Sequence, residues 1–172
     1  MRFHAIHLPR FVLVGEGVIE SVGKVCLDLG FNKGSSILVL SGNTATKRYG
    51  EIVLNSLMDS GFNASLSTIE ESSSFFFEKV LSAAQEVKPS LIIGVGGGKA
   101  IDIAKLSSFK LGLQFISVPT SASHDGIASP RASIKENGIS VSKEARSPLA
   151  ILADTAIISK APYRMLASGC AD

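Results

Sequence analysis

The chain is 172 residues long, 45% hydrophobic and 19% charged, with a formal net charge of +2. That length suits one α/β domain, and the balance implies a packed core rather than disorder. No basic run exceeds Lys47-Arg48, which argues against nucleic-acid binding through a charged patch, and no apolar run approaches the ~20 residues of a membrane span.

His4, His7 and Arg10 interrupt the N-terminal stretch, so it lacks the charged-then-apolar order of a secretory signal. The two cysteines, Cys26 and Cys170, lie far apart, which rules out a disulfide framework and favours a reduced, cytoplasmic setting. Three histidines are too few for a self-contained histidine-based zinc centre with ordinary supporting groups.

Hydrophobic runs alternate with amphipathic stretches along the chain. In order, the predicted elements are strand Arg10–Val14, helix Gly17–Leu29, strand Ser36–Leu40, helix Thr44–Ser60, strand Ala64–Thr68 and helix Ser74–Val87. Strand Leu91–Gly94, helix Lys99–Phe109, strand Gln114–Val118 and strand Leu149–Ala153 follow. Continuous apolar runs such as Ile37-Leu38-Val39-Leu40 suit parallel strands buried on both faces. The alternation predicts an α/β fold, an open parallel sheet with flanking helices. Gly30, Gly61 and Gly112 fall just past three helices, where left-handed caps occur. Pro89 ends the helix before it.

One segment interrupts the order. Ala132–Ser142 alternates around Asn137-Gly138, the dipeptide of a two-residue type I′ turn. It predicts an inserted hairpin at a sheet edge, as a solvated ribbon or as a subunit contact in a homo-oligomer. Near the end, Tyr163–Asp172 has a helical pattern after Pro162 but little to bury against. Residues 1–160 are therefore expected to form one nucleotide-binding domain. Residues 161–172 are expected to open a second domain that this chain lacks.

The strongest local signal is Gly94-Val95-Gly96-Gly97-Gly98-Lys99-Ala100-Ile101-Asp102, between a buried strand and a helix. Free backbone N–H groups and a positive helix end favour a phosphate there. Glycines let it approach the backbone closely. The dinucleotide fingerprint G-x-G-x-x-G needs a third glycine where Lys99 stands. A Walker-type loop needs glycine at Ile93 and a hydroxyl at Ala100. Neither motif matches, so a diphosphate held by a different variant is expected, and ATP hydrolysis is disfavoured. Asp102 suits the first helical turn on dipole grounds alone. Lys105 is three residues on and can pair with it. After the second strand, Asn43 stands near where such folds often place a ribose-binding carboxylate, with Lys47 and Arg48 nearby. A 2′-phosphate then meets no charge clash at that point, which opens NADP beside NAD.

Strand Gln114–Val118 runs into Pro119-Thr120-Ser121-Ala122-Ser123-His124-Asp125-Gly126-Ile127-Ala128-Ser129-Pro130, a loop dense in hydroxyls. It leaves the carboxyl end of a parallel strand, the edge at which open α/β sheets bind ligands. Its hydroxyls can donate to phosphate or sugar oxygens, and Asp125 can accept from a substrate hydroxyl.

Gly96 through Asp102, Pro119-Thr120 and a late Ala171-Asp172 together resemble the iron-containing alcohol dehydrogenase and dehydroquinate synthase-like superfamily. Ser123 through Pro130 looks like its archaeal sn-glycerol-1-phosphate dehydrogenase branch. The resemblance covers nearly all of this chain and the N-terminal half of the family's enzymes. It implies a Rossmann-like domain and NAD(P)H-dependent, zinc-dependent reduction of dihydroxyacetone phosphate to glycerol 1-phosphate for archaeal ether lipids. By position it implies that Gly96, Gly97, Gly98, Lys99, Ala100, Ile101, Asp102, Thr120, Ser121, Ala122, Ser123 and Ser129 line the cofactor. Asp125 would touch substrate, and Asp172 would bind Zn2+ and lie against the substrate. The remaining ligands would be histidines of the absent helical domain, which leaves this chain by itself inactive. A glycerol dehydrogenase-like polyol oxidoreductase and a non-catalytic nucleotide-binding module are the alternatives.

Overall fold

The computed structural model describes residues 8–123 and 125–171. His4, His7, His124 and Asp172, and with Asp172 the expected metal ligand, lie outside the described residues.

The strands are β1 (Phe11–Gly15), β2 (Ser36–Gly42), β3 (Asn63–Ile69), β4 (Leu91–Gly96), β5 (Gln114–Pro119), β6 (Arg131–Glu136), β7 (Ile139–Glu144) and β8 (Ala150–Asp154). The helices are α1 (Val22–Asp28), α2 (Lys47–Asp59), α3 (Ser74–Val87), α4 (Gly98–Lys110), α5 (Thr155–Ile158) and α6 (Tyr163–Ala171). Six strands form one parallel sheet in the order β1-β8-β5-β4-β2-β3. The expected open parallel sheet is therefore present.

Alternation along β2 shows how the sheet divides its core. Ile37 and Val39 pack with Val22, Cys26, Val53 and Leu57 of α1 and α2 on one face. Leu38 and Leu40 pack with Val80, Ala84, Ile101 and Ala104 of α3 and α4 on the other. Successive side chains of a strand point to opposite faces, so a run apolar at every position needs helices on both.

Local chemistry sets the element ends. Gly30, Gly61 and Gly112 have φ of 93°, 90° and 69°. The expected helix from Gly17 instead begins as a 3-10 turn, Val18–Ser21, before α1. The expected Thr44 start shifts to Lys47, because residues 44–46 form the turn leaving β2. Lys88, at φ 49°, caps α3 ahead of Pro89.

The hairpin exists, with Asn137 at φ 50° and Gly138 at φ 81°, both in the left-handed region that a type I′ turn requires. Its expected place does not hold. It forms a separate two-stranded sheet rather than an edge of the main one, and β6 buries Ala132 and Ile134 in the cluster under α3 and α4. Lys135 N donates to Ser72 O at 2.7 Å, and Ser72 Oγ donates to Ser133 O at 2.5 Å, fastening it to the loop before α3. It is thus a half-buried cover, not a solvated ribbon.

Asp154, which the sequence did not single out, ends β8 and caps α5. Its carboxylate accepts from Ala156 N at 3.1 Å, Ile157 N at 3.3 Å and Ile19 N at 3.3 Å. Among the described residues, no helix is long and apolar enough to cross a membrane.

Candidate nucleotide-binding site

After β3 forms on one side of β2, the chain places β4 on the other. This reversal opens a crevice at the carboxyl ends of β2 and β4, the place where open α/β sheets hold ligands. The glycine-rich turn lies there.

Its glycines act differently. A Cβ on Gly94 would lie 2.8 Å from Ala104 Cβ and 3.1 Å from the Phe115 ring, so this glycine lets α4 close onto β4 and β5. Gly96 has φ 148°, a conformation L side chains rarely adopt. Gly97 precedes α4, and a Cβ there would meet only Ser121 Oγ, at 3.6 Å. Gly97 therefore keeps space open rather than relieving a clash. The first N–H groups of a helix lack partners within it, and here they belong to Gly98, Lys99 and Ala100.

Thr120 N donates to Gly96 O at 3.0 Å, which ties the hydroxyl-rich loop after β5 to the glycine turn. Thr120 and Ser121 are buried, and Ser121 Oγ lies 3.5 Å from Ser123 Oγ. Gly97, Gly98, Lys99, Ala100, Ser121 and Ser123 then share one cleft of about 280 Å³ with Asn43, Thr46, Glu70 and Met165. A second cleft of about 220 Å³ shares Thr46, Gly97, Ser121 and Met165 with the first and adds Thr120, Arg48, Tyr49 and Lys160. The Arg48 guanidinium donates to the Tyr49 hydroxyl at 2.7 Å and stands 4.6 Å from its ring centre. The donor set of glycine N–H groups, hydroxyls and nearby cations suits a dinucleotide diphosphate.

Other expected residues lie elsewhere. Ile101 is fully buried in the core, and its N–H donates to Gly97 O at 3.2 Å. Ala122 supplies the backbone on which α6 rests, since a Cβ on Gly169 would come within 1.9 Å of Ala122 O. Asp102, Asp125 and Ser129 line a separate cavity of about 420 Å³ between α4 and the hairpin, together with Arg131 and Ser142. Arg131 Nε donates to Ser142 Oγ at 2.8 Å. Among the described residues, no three His, Cys, Asp or Glu side chains gather as a metal-binding group.

Sequence reasoning missed Glu70 and Met165, and it missed the burial of Lys105. Glu70 follows β3 and brings a carboxylate to the cleft where Asn43 had suggested none. Met165 arrives from α6 and lines both clefts over the glycine turn. Lys105, three residues from Asp102 and expected to be able to pair with it, is completely buried. Its Nζ donates to Gly126 O at 2.5 Å and Arg131 O at 2.8 Å. Burial pushes its ammonium below the ordinary lysine value, against the opposing pull of Asp102 and Asp125. Only the helical spacing of Lys105 within an apolar stretch could have signalled that burial.

A model of the family described as iron-containing alcohol dehydrogenase matches residues 13–162. A glycerol-1-phosphate dehydrogenase (NAD(P)+) of Methanosarcina barkeri is 50% identical over 167 residues, which is 97% of this chain and 46% of that protein. The enzyme of the same name from Methanothermobacter thermautotrophicus is 47% identical over 167 residues, 97% of this chain and 47% of its own. The crystal structure of a probable glycerol dehydrogenase from Sinorhizobium meliloti matches with a TM-score of 0.85 at 26% identity, covering 98% of this chain and 45% of that one. The chain spans about half the length of the curated relatives it matches.

Proposed function

This chain belongs to the iron-containing alcohol dehydrogenase family, and on that premise we propose that it is the nucleotide-binding part of an NAD(P)H-dependent glycerol-1-phosphate dehydrogenase. The proposed substrate is dihydroxyacetone phosphate, reduced in the cytoplasm to sn-glycerol 1-phosphate for ether-lipid synthesis. The observation that carries this reading is the glycine turn at the sheet's switch point, open at Gly97 and rimmed by Ser121 and Ser123. The names of relatives at 47–50% identity support the substrate.

In this reading the N–H groups of Gly98, Lys99 and Ala100 hold the diphosphate, with the helix dipole favouring its charge. Thr120, Ser121 and Ser123 donate to its oxygens, and Ser129 stands further along. Asp125 orients a substrate hydroxyl by accepting from it. When bound, the reduced nicotinamide supplies the hydride and Zn2+ polarises the ketone. Asp172 is the proposed ligand from this chain, the others belonging to a further helical domain beyond residues 161–172. Since a catalytic zinc usually takes three protein ligands, the 172-residue chain alone is expected to bind nucleotide and not turn over.

The test is NADPH oxidation with dihydroxyacetone phosphate against unphosphorylated dihydroxyacetone, zinc present, using this chain and a form extended beyond Asp172. Turnover by the extended form alone, with the phosphorylated ketone, is the expected result. Preference for the unphosphorylated ketone would make it a polyol dehydrogenase instead. Nucleotide binding without turnover by either form would make it a binding module.

A further inference from the structure

Lys105 lies on α4 against the segment from Gly126 to Arg131, and no role proposed above uses it. It ranks among the largest fully buried side chains of the chain. Burying an ammonium is unfavourable unless its donors find partners. An apolar side chain of similar volume often serves stability as well or better. Packing alone therefore does not explain a lysine here.

Its two acceptors do. Gly126 O and Arg131 O stand at opposite ends of the segment that carries the chain from the hydroxyl-rich loop into β6. Within that segment, Ala128 N and Ser129 N both donate to Asp125 O, at 3.0 and 3.2 Å, forming a short turn. Ala145 N donates to Pro130 O at 2.8 Å and continues the fastening into the hairpin. One ammonium on a rigid helix thus grips both ends of a turn. The carboxylates of Asp102 and Asp125 act on it electrostatically, and both residues line the same 420 Å³ cavity.

We propose that Lys105 is a positioning residue: by holding Gly126 O and Arg131 O it fixes the 125–131 turn against α4 and aims Asp125 into the cavity shared with Asp102. Lys105 itself touches neither substrate nor cofactor. The placement of the turn follows from the structure alone; its effect on turnover rests on the dehydrogenase reading above.

The test compares Lys105→Met with the unsubstituted chain by amide hydrogen exchange. At Ala128, Ser129 and Ala145 exchange is expected to quicken by roughly tenfold or more, while Ile93 and Ile116 in the sheet stay within about twofold. A uniform quickening across the sheet would show a purely structural residue and overturn the proposal, as would unchanged protection of the turn. If Lys105→Met does not fold, the unsubstituted chain decides, through nitrogen-15 labelling of its lysines. A slowly exchanging ammonium signal that shifts on Asp125→Asn is expected, and absence of such a signal overturns the proposal. In the extended form, Lys105→Met is expected to lower kcat by about tenfold or more with the KM for NADPH within about twofold. A rise in that KM with kcat unchanged would contradict positioning. Failure of the unsubstituted extended form to reduce dihydroxyacetone phosphate would sink the proposed reaction, and the exchange comparison would still decide the role of Lys105.

Discussion

Gly94, within β4, and Gly97, just ahead of α4, stand three residues apart and should respond oppositely to the same substitution. Gly97→Ala adds a methyl in open space, 3.6 Å from Ser121 Oγ. Stability should change by less than about 1 kcal/mol, yet the methyl stands where a diphosphate would approach. NADPH affinity should fall by roughly tenfold, as read by fluorescence titration. Gly94→Ala drives a methyl to 2.8 Å from Ala104 Cβ and should cost about 1–3 kcal/mol in urea unfolding. Glu70 tests cofactor choice. Its carboxylate lines the cleft that Asn43 also lines and would oppose the additional phosphate of NADPH. Glu70→Gln should therefore tighten NADPH relative to NADH by about fivefold, close to 1 kcal/mol of relieved repulsion near the surface. An unchanged ratio of the two dissociation constants would place the adenosine ribose away from Glu70.

Among the elements, α6 and the hairpin carry the sharpest expectations. The contact of α6 with the Ala122 backbone depends on a missing side chain, since Gly169 leaves no room for a methyl. Gly169→Ala should lift α6 and Met165 from the glycine turn although alanine is the better helix former. Faster proteolysis within residues 160–171, with the sheet's amide protection retained, is the expected outcome. The hairpin is held by Ile134, 1% exposed against α4, whereas Ile139 at its tip is 69% exposed. Ile134→Ala should cost about 2–5 kcal/mol through the cavity it leaves. Ile139→Thr should be near neutral, and equal losses from both in urea unfolding would refute the docked arrangement.

Across the molecule, two buried titrating groups give opposite alkaline responses. Burial pushes the Cys26 thiol from 9.0 up to about 12. The folded chain keeps this proton while the unfolded chain loses it, so stability present below pH 9 is lost between 9 and about 12. The limiting slope is about 1.4 kcal/mol per pH unit. Lys105 works the other way. Its folded value lies below 10.5, so the unfolded chain holds more protons as pH nears 10.5, and stability gains there. Between about pH 8 and pH 10 the unfolding midpoint should fall less steeply, or rise more steeply, with pH for Cys26→Ala than for the unsubstituted chain. A fall of the same steepness in both would remove Cys26 from the account.

The sheet and the glycine turn were legible in the sequence because their causes are local. Ile37-Leu38-Val39-Leu40 is apolar at every position, which requires cover on both faces. Gly96-Gly97-Gly98 follows a buried strand and opens a helix, so its free N–H groups are set by consecutive residues. Asn137-Gly138 fixed the hairpin turn through its positive φ angles, but not where the hairpin docks, because Ala132 and Ile134 could bury against any apolar surface. Glu70 joins the cleft only because β3 pairs beside β2, and Lys105 is buried only because the turn from Gly126 to Arg131 folds over α4. Chain order and side-chain period thus determined the elements, their layers and the glycine-rich turn. Strand order and the docking of the hairpin and α6 decided which distant carboxylates, cations and carbonyls meet, since those contacts depend on pairing between segments far apart in the chain.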